Sequence, residues 1–221
     1  MDLNALQAEL ERIYDISTPH RVVDFLLHDP TIASELAQDP STRYRPETLL
    51  VSQSGDNLDV SLYLSRGLLA RLERDNPTDS LHAGNLQDFW FAMEGVSHFL
   101  YLAWNATFER RITKLELELV AEVDKFITAV ELLRQQNGNA PSRPLRRALF
   151  EDIRFRSSLG EDDRQRYREA NRLAARYCHM LEARYKLDAE DPALMRELRR
   201  FYRMPRESKF HHIEAGAVLM R

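Results

Sequence analysis

Between Pro77 and Pro141 the chain contains no proline, and that gap constrains the fold more than any other feature. Proline breaks helices by removing an amide donor and clashing with the preceding turn. Without it a single rod from Leu86 to Leu133 is sterically allowed. The rod is nevertheless expected to break near Arg110, because Thr113 with Glu116 three positions later is a capping box, which satisfies amides that a new helix leaves unpaired. Asn85 is placed to cap the first segment. Leu115, Leu119, Val123, Phe126, Val130 and Leu133 give the second an apolar stripe that "NGNAPSRP" terminates. Two helices, at about 86 to 108 and 114 to 135, are therefore expected to be antiparallel neighbours.

Elements on either side follow from turn and cap chemistry. "LNALQAELERIY", "TPHRVVDFLL" and "DPTIASELA" read as three short helical pieces before residue 40. "ETLLVSQSGDNLDVSLYLS" places two apolar runs around "SGDN", with Leu58, Val60, Leu62 and Leu64 alternating, which predicts a β-hairpin at about residues 48 to 65. A short helix capped by Ser65 follows it. After Pro141, "PLRRALFEDIRF", a helix at about 161 to 185, "DPALMRELRRFYRM" and "RESKFHHIEAG" are expected to be helical, with Gly216 ending the last and "AVLMR" left as a tail. The expected fold is α+β and predominantly helical, an antiparallel helix bundle with one N-terminal β-hairpin. A single domain over 1–221 is anticipated, with short helices and the hairpin in 1–80 and the bundle in 81–221.

Composition excludes several function classes. A lone cysteine, Cys178, rules out an internal disulfide framework, and the opening "MDLNALQAELERIYDI" lacks the basic start and apolar run of a targeting signal, so a cytoplasmic location is expected. The most apolar window, Phe89 to Trp104, is shorter than the ~20 residues of a membrane span and contains Glu94 and His98. No membrane role is expected. Residues 1 to 140 carry 12 basic and 22 acidic groups and residues 141 to 221 carry 19 and 13. Such halves can pair within the fold.

Candidate functional residues concentrate in "EGVSHFLYLAWNATFE", where Glu94, His98, Asn105 and Glu109 recur at intervals of four, seven and four. At ~100° per residue this polar line lies opposite a face formed by Phe89, Met93, Val96, Leu100 and Ala103. Trp90, Phe91, Tyr101 and Leu102 flank it, so packing on both sides is expected. Glu94 and His98, one turn apart, can then form a structural polar network, a ligand or interaction site, or part of a metal site completed by Glu118 and Glu122 from the next helix.

Arg164, Arg168, Arg172 and Arg176 form an i to i+4 ladder. It is read first as a solvated face pairing with the acidic 116 to 131 helix, and second as a basic interaction face. Cys178 reads as a small core residue, and His211-His212 with Glu214 as a weaker metal candidate. No phosphate-binding Gly-rich loop, HExxH, CxxC pair or nucleophile elbow is present. The leading functional expectation is an interaction or regulatory module binding a protein partner or a second copy. The alternatives are an enzyme using a divalent metal at Glu94, His98, Glu118 and Glu122, and nucleic-acid binding through the arginine ladder, a partner class that the composition disfavours.

Overall fold

In the computed structural model the described residues are 1–55, 57–138, 142–151 and 160–218. The hairpin-turn residue Asp56, residues 139–141 of "NGNAPSRP", the last third of "PLRRALFEDIRF" (152–155) and the end of the tail, 219–221, lie outside them. The protein is a predominantly helical α+β fold: helices α1 (Leu3–Tyr14), α2 (Pro30–Ala37), α3 (Arg66–Arg74), α4 (Leu86–Ala106), α5 (Lys114–Asn137), α6 (Ser142–Phe150), α7 (Glu161–Arg184), α8 (Pro192–Arg203) and α9 (Arg206–Val218), with strands β1 (Leu26–Leu27), β2 (Glu47–Ser54) and β3 (Asn57–Leu64).

The break between α4 and α5 rests on the expected capping box. Thr113 Oγ1 accepts from the Glu116 amide at 3.2 Å, and Glu116 reaches back to the Thr113 amide at 2.9 Å. The helices then run antiparallel, with His98 beside Glu118 and Glu94 beside Lys125. α4 is apolar almost all round, and such a helix must be covered on every side. It lies between the sheet, α1, α3 and α5, with Phe89, Met93, Val96, Phe99 and Leu100 buried. Each such side chain contributes roughly 1.5–3 kcal/mol by leaving water. Buried apolar residues from Leu3 to Ile213 form one continuous core.

β2 and β3 form the expected antiparallel hairpin, with Glu47 opposite Leu64 and Ser54 opposite Asn57. A third strand was not legible. β1 pairs parallel to β3, giving the order β1-β3-β2, and it comes from "TPHRVVDFLL", expected to be helical. That segment instead makes a 3₁₀ turn at Val22–Phe25 and then extends, its Val22 amide held by the Gln7 side chain at 2.8 Å. Because strand side chains alternate between faces, Leu62 and Leu64 enter the main core while Tyr63 packs with Leu50 and Ala33 on the other side.

Two further expectations need correction. Asn85 makes no side-chain cap on α4; its Oδ1 accepts from the His82 amide and its Nδ2 donates to the Ser80 carbonyl. Gly216 does not end α9 but lies inside it, where an added Cβ would stand 2.6 Å from Met180 Sδ. α9 packs closely on α7 there, so a larger residue would have to push the flexible Met180 thioether aside.

Basic residues of the last third do meet the first. Arg199 and Arg203 donate to the carbonyls of Arg12, Ile13 and Asp15 at the C-terminal end of α1, where cations complement the helix dipole. Lys209 is fully buried, donating to Tyr101 Oη at 3.0 Å and to the carbonyls of Tyr202 and Met204 at 2.9 and 2.5 Å. Burial lowers its pKa to about 8, opposed by Glu116 and assisted by Arg110. Among the described residues, no helix is long and apolar enough to cross a membrane.

Candidate functional site

A buried cluster of ionisable groups sits where α4, α5, α7 and the start of β2 converge. α4 supplies Glu94 and His98, one turn apart; α5 supplies Glu118, Glu122 and Lys125; β2 supplies Glu47; and α7 supplies Arg166. Glu47 arrives through strand register, since residues opposite each other in a ladder share a face, and its partner Leu64 is buried in the main core that α4 also enters. Gly95 permits the approach: a Cβ there would lie 2.9 Å from Leu62 Cδ1 and 3.0 Å from Glu47 Cγ.

His98 stands between two carboxylates, Nδ1 3.7 Å from Glu47 Oε1 and Nε2 3.6 Å from Glu118 Oε2. Both gaps exceed a hydrogen bond. The His98 and Glu47 side chains are only 8% and 9% exposed, and His98 Nε2 and Glu47 Oε1 are buried without a hydrogen-bond partner. Buried polar atoms are almost always satisfied, so each of these two atoms is anomalous. Burial pulls the His98 pKa down, but Glu118 and Glu47 outweigh it and hold the imidazole well above its usual value. Burial likewise raises Glu47, with His98 working against the rise.

Beside this group the Lys125 ammonium lies 2.9 Å from Glu94 Oε2 and 2.5 Å from Glu122 Oε1. Burial disfavours its charge, yet Glu122 and Glu94 hold its pKa above the usual lysine value. Glu122 is raised by burial against the pull of Lys125. Arg166 Nε is 3.9 Å from Glu118 Oε1. One position on, the Tyr167 phenol is raised by burial and by Glu118, Glu94 and Glu47. Below the cluster, Asp124 accepts from Ser97 at 2.5 Å and from Tyr14. Its pKa is pushed up to about 7 by burial despite those two donors.

Among the described residues, one grouping has donor atoms close enough to share a metal ion: Glu47, Glu94 and His98, within 4.8 Å of one another. Donors around a divalent ion held at ~2.1 Å lie roughly 3.0–3.4 Å apart, so binding would draw these three together by about an ångström. An ion on the Nδ1 side of His98 leaves Nε2 facing Glu118, the carboxylate–histidine–metal arrangement in which an outer carboxylate orients the ring.

The structure therefore brings Glu94, His98, Glu118 and Glu122 into one cluster, but Glu122 is engaged by Lys125 and Glu118 faces the far nitrogen of His98. Glu47, Lys125 and Arg166 were not anticipated. Asn105 and Glu109 lie away from the cluster. Asn105 Nδ2 donates to the Tyr101 carbonyl, and α4 ends at Ala106, leaving Glu109 exposed with φ of 54°.

Among the described residues, the arginine ladder's ion pairs run to carboxylates of α7 itself. Arg172 bonds Glu169 at 2.5 Å, Arg164 and Arg168 reach Glu161, and Arg176 is exposed. Arg166, off the ladder, is the α7 arginine that approaches α5. Cys178 is buried, and burial raises its thiol pKa well above the usual value, with Glu182 and Glu122 adding to the rise. His212 Nε2 is 2.5 Å from Glu197 while His211 faces solvent, so adjacent histidines diverge. Compared with protein families, curated proteins and solved structures, the chain matches none.

Proposed function

We propose that this protein is a metal-dependent enzyme that binds one divalent first-row ion, Mn²⁺, Fe²⁺ or Zn²⁺, between Glu47, Glu94 and His98. The observation that carries this reading is the buried Glu47 Oε1, which has no hydrogen-bond partner and lies 3.7 Å from His98 Nδ1 within a three-donor group. Two carboxylates with one imidazole suit these metals, and a bound ion there would supply Lewis acidity and activate a coordinated water, or dioxygen where the ion is redox-active Fe²⁺ or Mn²⁺. Glu118 would hold the His98 ring, while Lys125 and Arg166 offset the remaining carboxylates. A cytoplasmic setting is proposed with it, supported by Cys178 being the sole cysteine of the sequence, which leaves no internal disulfide to form.

Elemental analysis tests the reading. Protein dialysed against each ion should retain it stoichiometrically, and His98→Ala and Glu47→Gln should each abolish retention. Wild-type protein free of metal after all three dialyses would overturn it.

A second reading, an interaction module binding a protein partner or a second copy, is favoured by exposed Ile32, Leu36 and Tyr44 on α2 and the turn that follows it. Light scattering across concentrations checks self-association. A mass fixed at one chain, unaffected by Tyr44→Ser, dismisses that form.

A further inference from the structure

Resting on the metal reading above, we infer that the Lys125 ammonium occupies the seat of a second metal ion, so that the centre is mononuclear and the Glu94–Glu122 pair is a cation site filled by the protein itself. Lysine is rarely buried unless paired, and here Nζ lies 2.9 Å from Glu94 Oε2 and 2.5 Å from Glu122 Oε1 with its side chain 7% exposed. Glu122 precedes Lys125 by one helical turn, so α5 alone fixes the ammonium between a carboxylate of its own and one from α4. Glu94 belongs both to this pair and to the Glu47–Glu94–His98 group. It is thus a carboxylate shared by two neighbouring cation positions.

Charge supports the same count. Glu47, Glu94, Glu118 and Glu122 face Lys125 and Arg166, and Arg166 is itself paired with Asp163 at 2.7 Å. With His98 neutral, as a metal ligand must be, the group keeps a net negative charge that one divalent ion largely offsets. A second ion beside Lys125 would turn the cluster net positive, at high desolvation cost. Removing the ammonium exposes the Glu94 and Glu122 oxygens it now occupies, and Glu122 Oε2 is already buried without a hydrogen-bond partner. This narrows the chemistry to single-ion roles, polarising or activating one coordinated group, in place of the two-metal clamp that stabilises attacking and leaving oxygens together.

Mn²⁺ alone is a sufficient probe. After equilibrium dialysis, wild-type protein should hold one Mn²⁺ per chain with an uncoupled six-line electron paramagnetic resonance signal. Lys125→Gln and Lys125→Met should hold two, with a spin-coupled signal, and Lys125→Gln combined with Glu122→Gln should return to one. Lys125→Arg should stay at one. If wild type binds one and folded Lys125→Gln and Lys125→Met also bind one, the inference fails while the metal centre stands. Wild type binding two as a coupled pair overturns the inference without need of any variant. Wild type binding none removes the centre itself and the inference with it.

Discussion

The phenol of Tyr14 donates a hydrogen bond to Asp124, 110 positions further along the chain, pinning α1 to the middle of α5. Ser97, from α4, donates a second hydrogen bond to the Asp124 carboxylate. Because burial raises the folded pKa of Asp124 to about 7 from 3.8, the unfolded chain ionises first as pH rises. Stability from this group is intact below about pH 4, is lost progressively to about pH 7, and is level beyond. Asp124→Asn cannot ionise. Its melting temperature relative to wild type should climb across that window and then plateau, and parallel curves from pH 4.5 to 8 would contradict the assignment.

Gly95→Ala should act on the centre through backbone spacing. Alanine favours the helix by about 1 kcal/mol, but its Cβ must displace Leu62 and Glu47, and overpacking of this kind costs about 1–3 kcal/mol. Circular dichroism should remain helical while Mn²⁺ affinity by calorimetry falls about tenfold or more, as for other disturbed ligand shells. Unchanged affinity would show that Glu47 does not depend on this approach.

Glu118→Gln removes the charge facing His98 Nε2 while keeping the side chain's shape. Loss of an outer carboxylate behind a ligating histidine weakens metal binding by about 10–100-fold. Calorimetric titration with Zn²⁺ reads this directly; affinity equal to wild type would place the ion elsewhere.

Lys209→Met leaves the Tyr202 and Met204 carbonyls and Tyr101 Oη without their shared donor. The expected cost near neutral pH is about 1–3 kcal/mol. With a folded pKa of about 8 against 10.5, the buried amine sheds its proton before the unfolded one does, so wild type gains stability as pH rises from 8 towards 10.5. Denaturant unfolding should therefore show the gap between wild type and variant widening over that range.

Replacing Arg168 and Arg172 together by alanine should change unfolding free energy by less than about 1 kcal/mol, as exposed ion pairs contribute little. Urea unfolding checks this. A larger loss would mean that the ladder packs against something beyond its own helix.

Local chemistry carried most of the fold. Thr113 and Glu116 announced the α4–α5 reversal, and Asp29-Pro30 and Asp191-Pro192 opened α2 and α8 with side chains capping amides as such pairs do. "TPHRVVDFLL" misled because its extension depends on Gln7 and on a ladder partner in β3, both distant in sequence. Glu94, His98, Glu118 and Glu122 were legible as one helix face meeting another. Glu47 was not, since only pairing with Leu64 shows which way it points. Its signal was a charged residue at the entry of an otherwise apolar strand run. Lys125 carried a fainter signal, a rare lysine one turn after Glu122. Glu109 was extrapolated past the point where α4 stops, since helix ends set by the fold are poorly visible to periodicity alone, while Asn105, still within α4, donates its amide to the Tyr101 carbonyl.

The cluster gathers groups from a strand before residue 50, from two central helices and from Arg166. Assembly needs the chain through Arg166, and until α7 docks only Lys125 offsets the four carboxylates. During synthesis, then, the centre would close only after α7 has formed, and a metal signal in a refolding experiment would time the docking of β2, α4, α5 and α7.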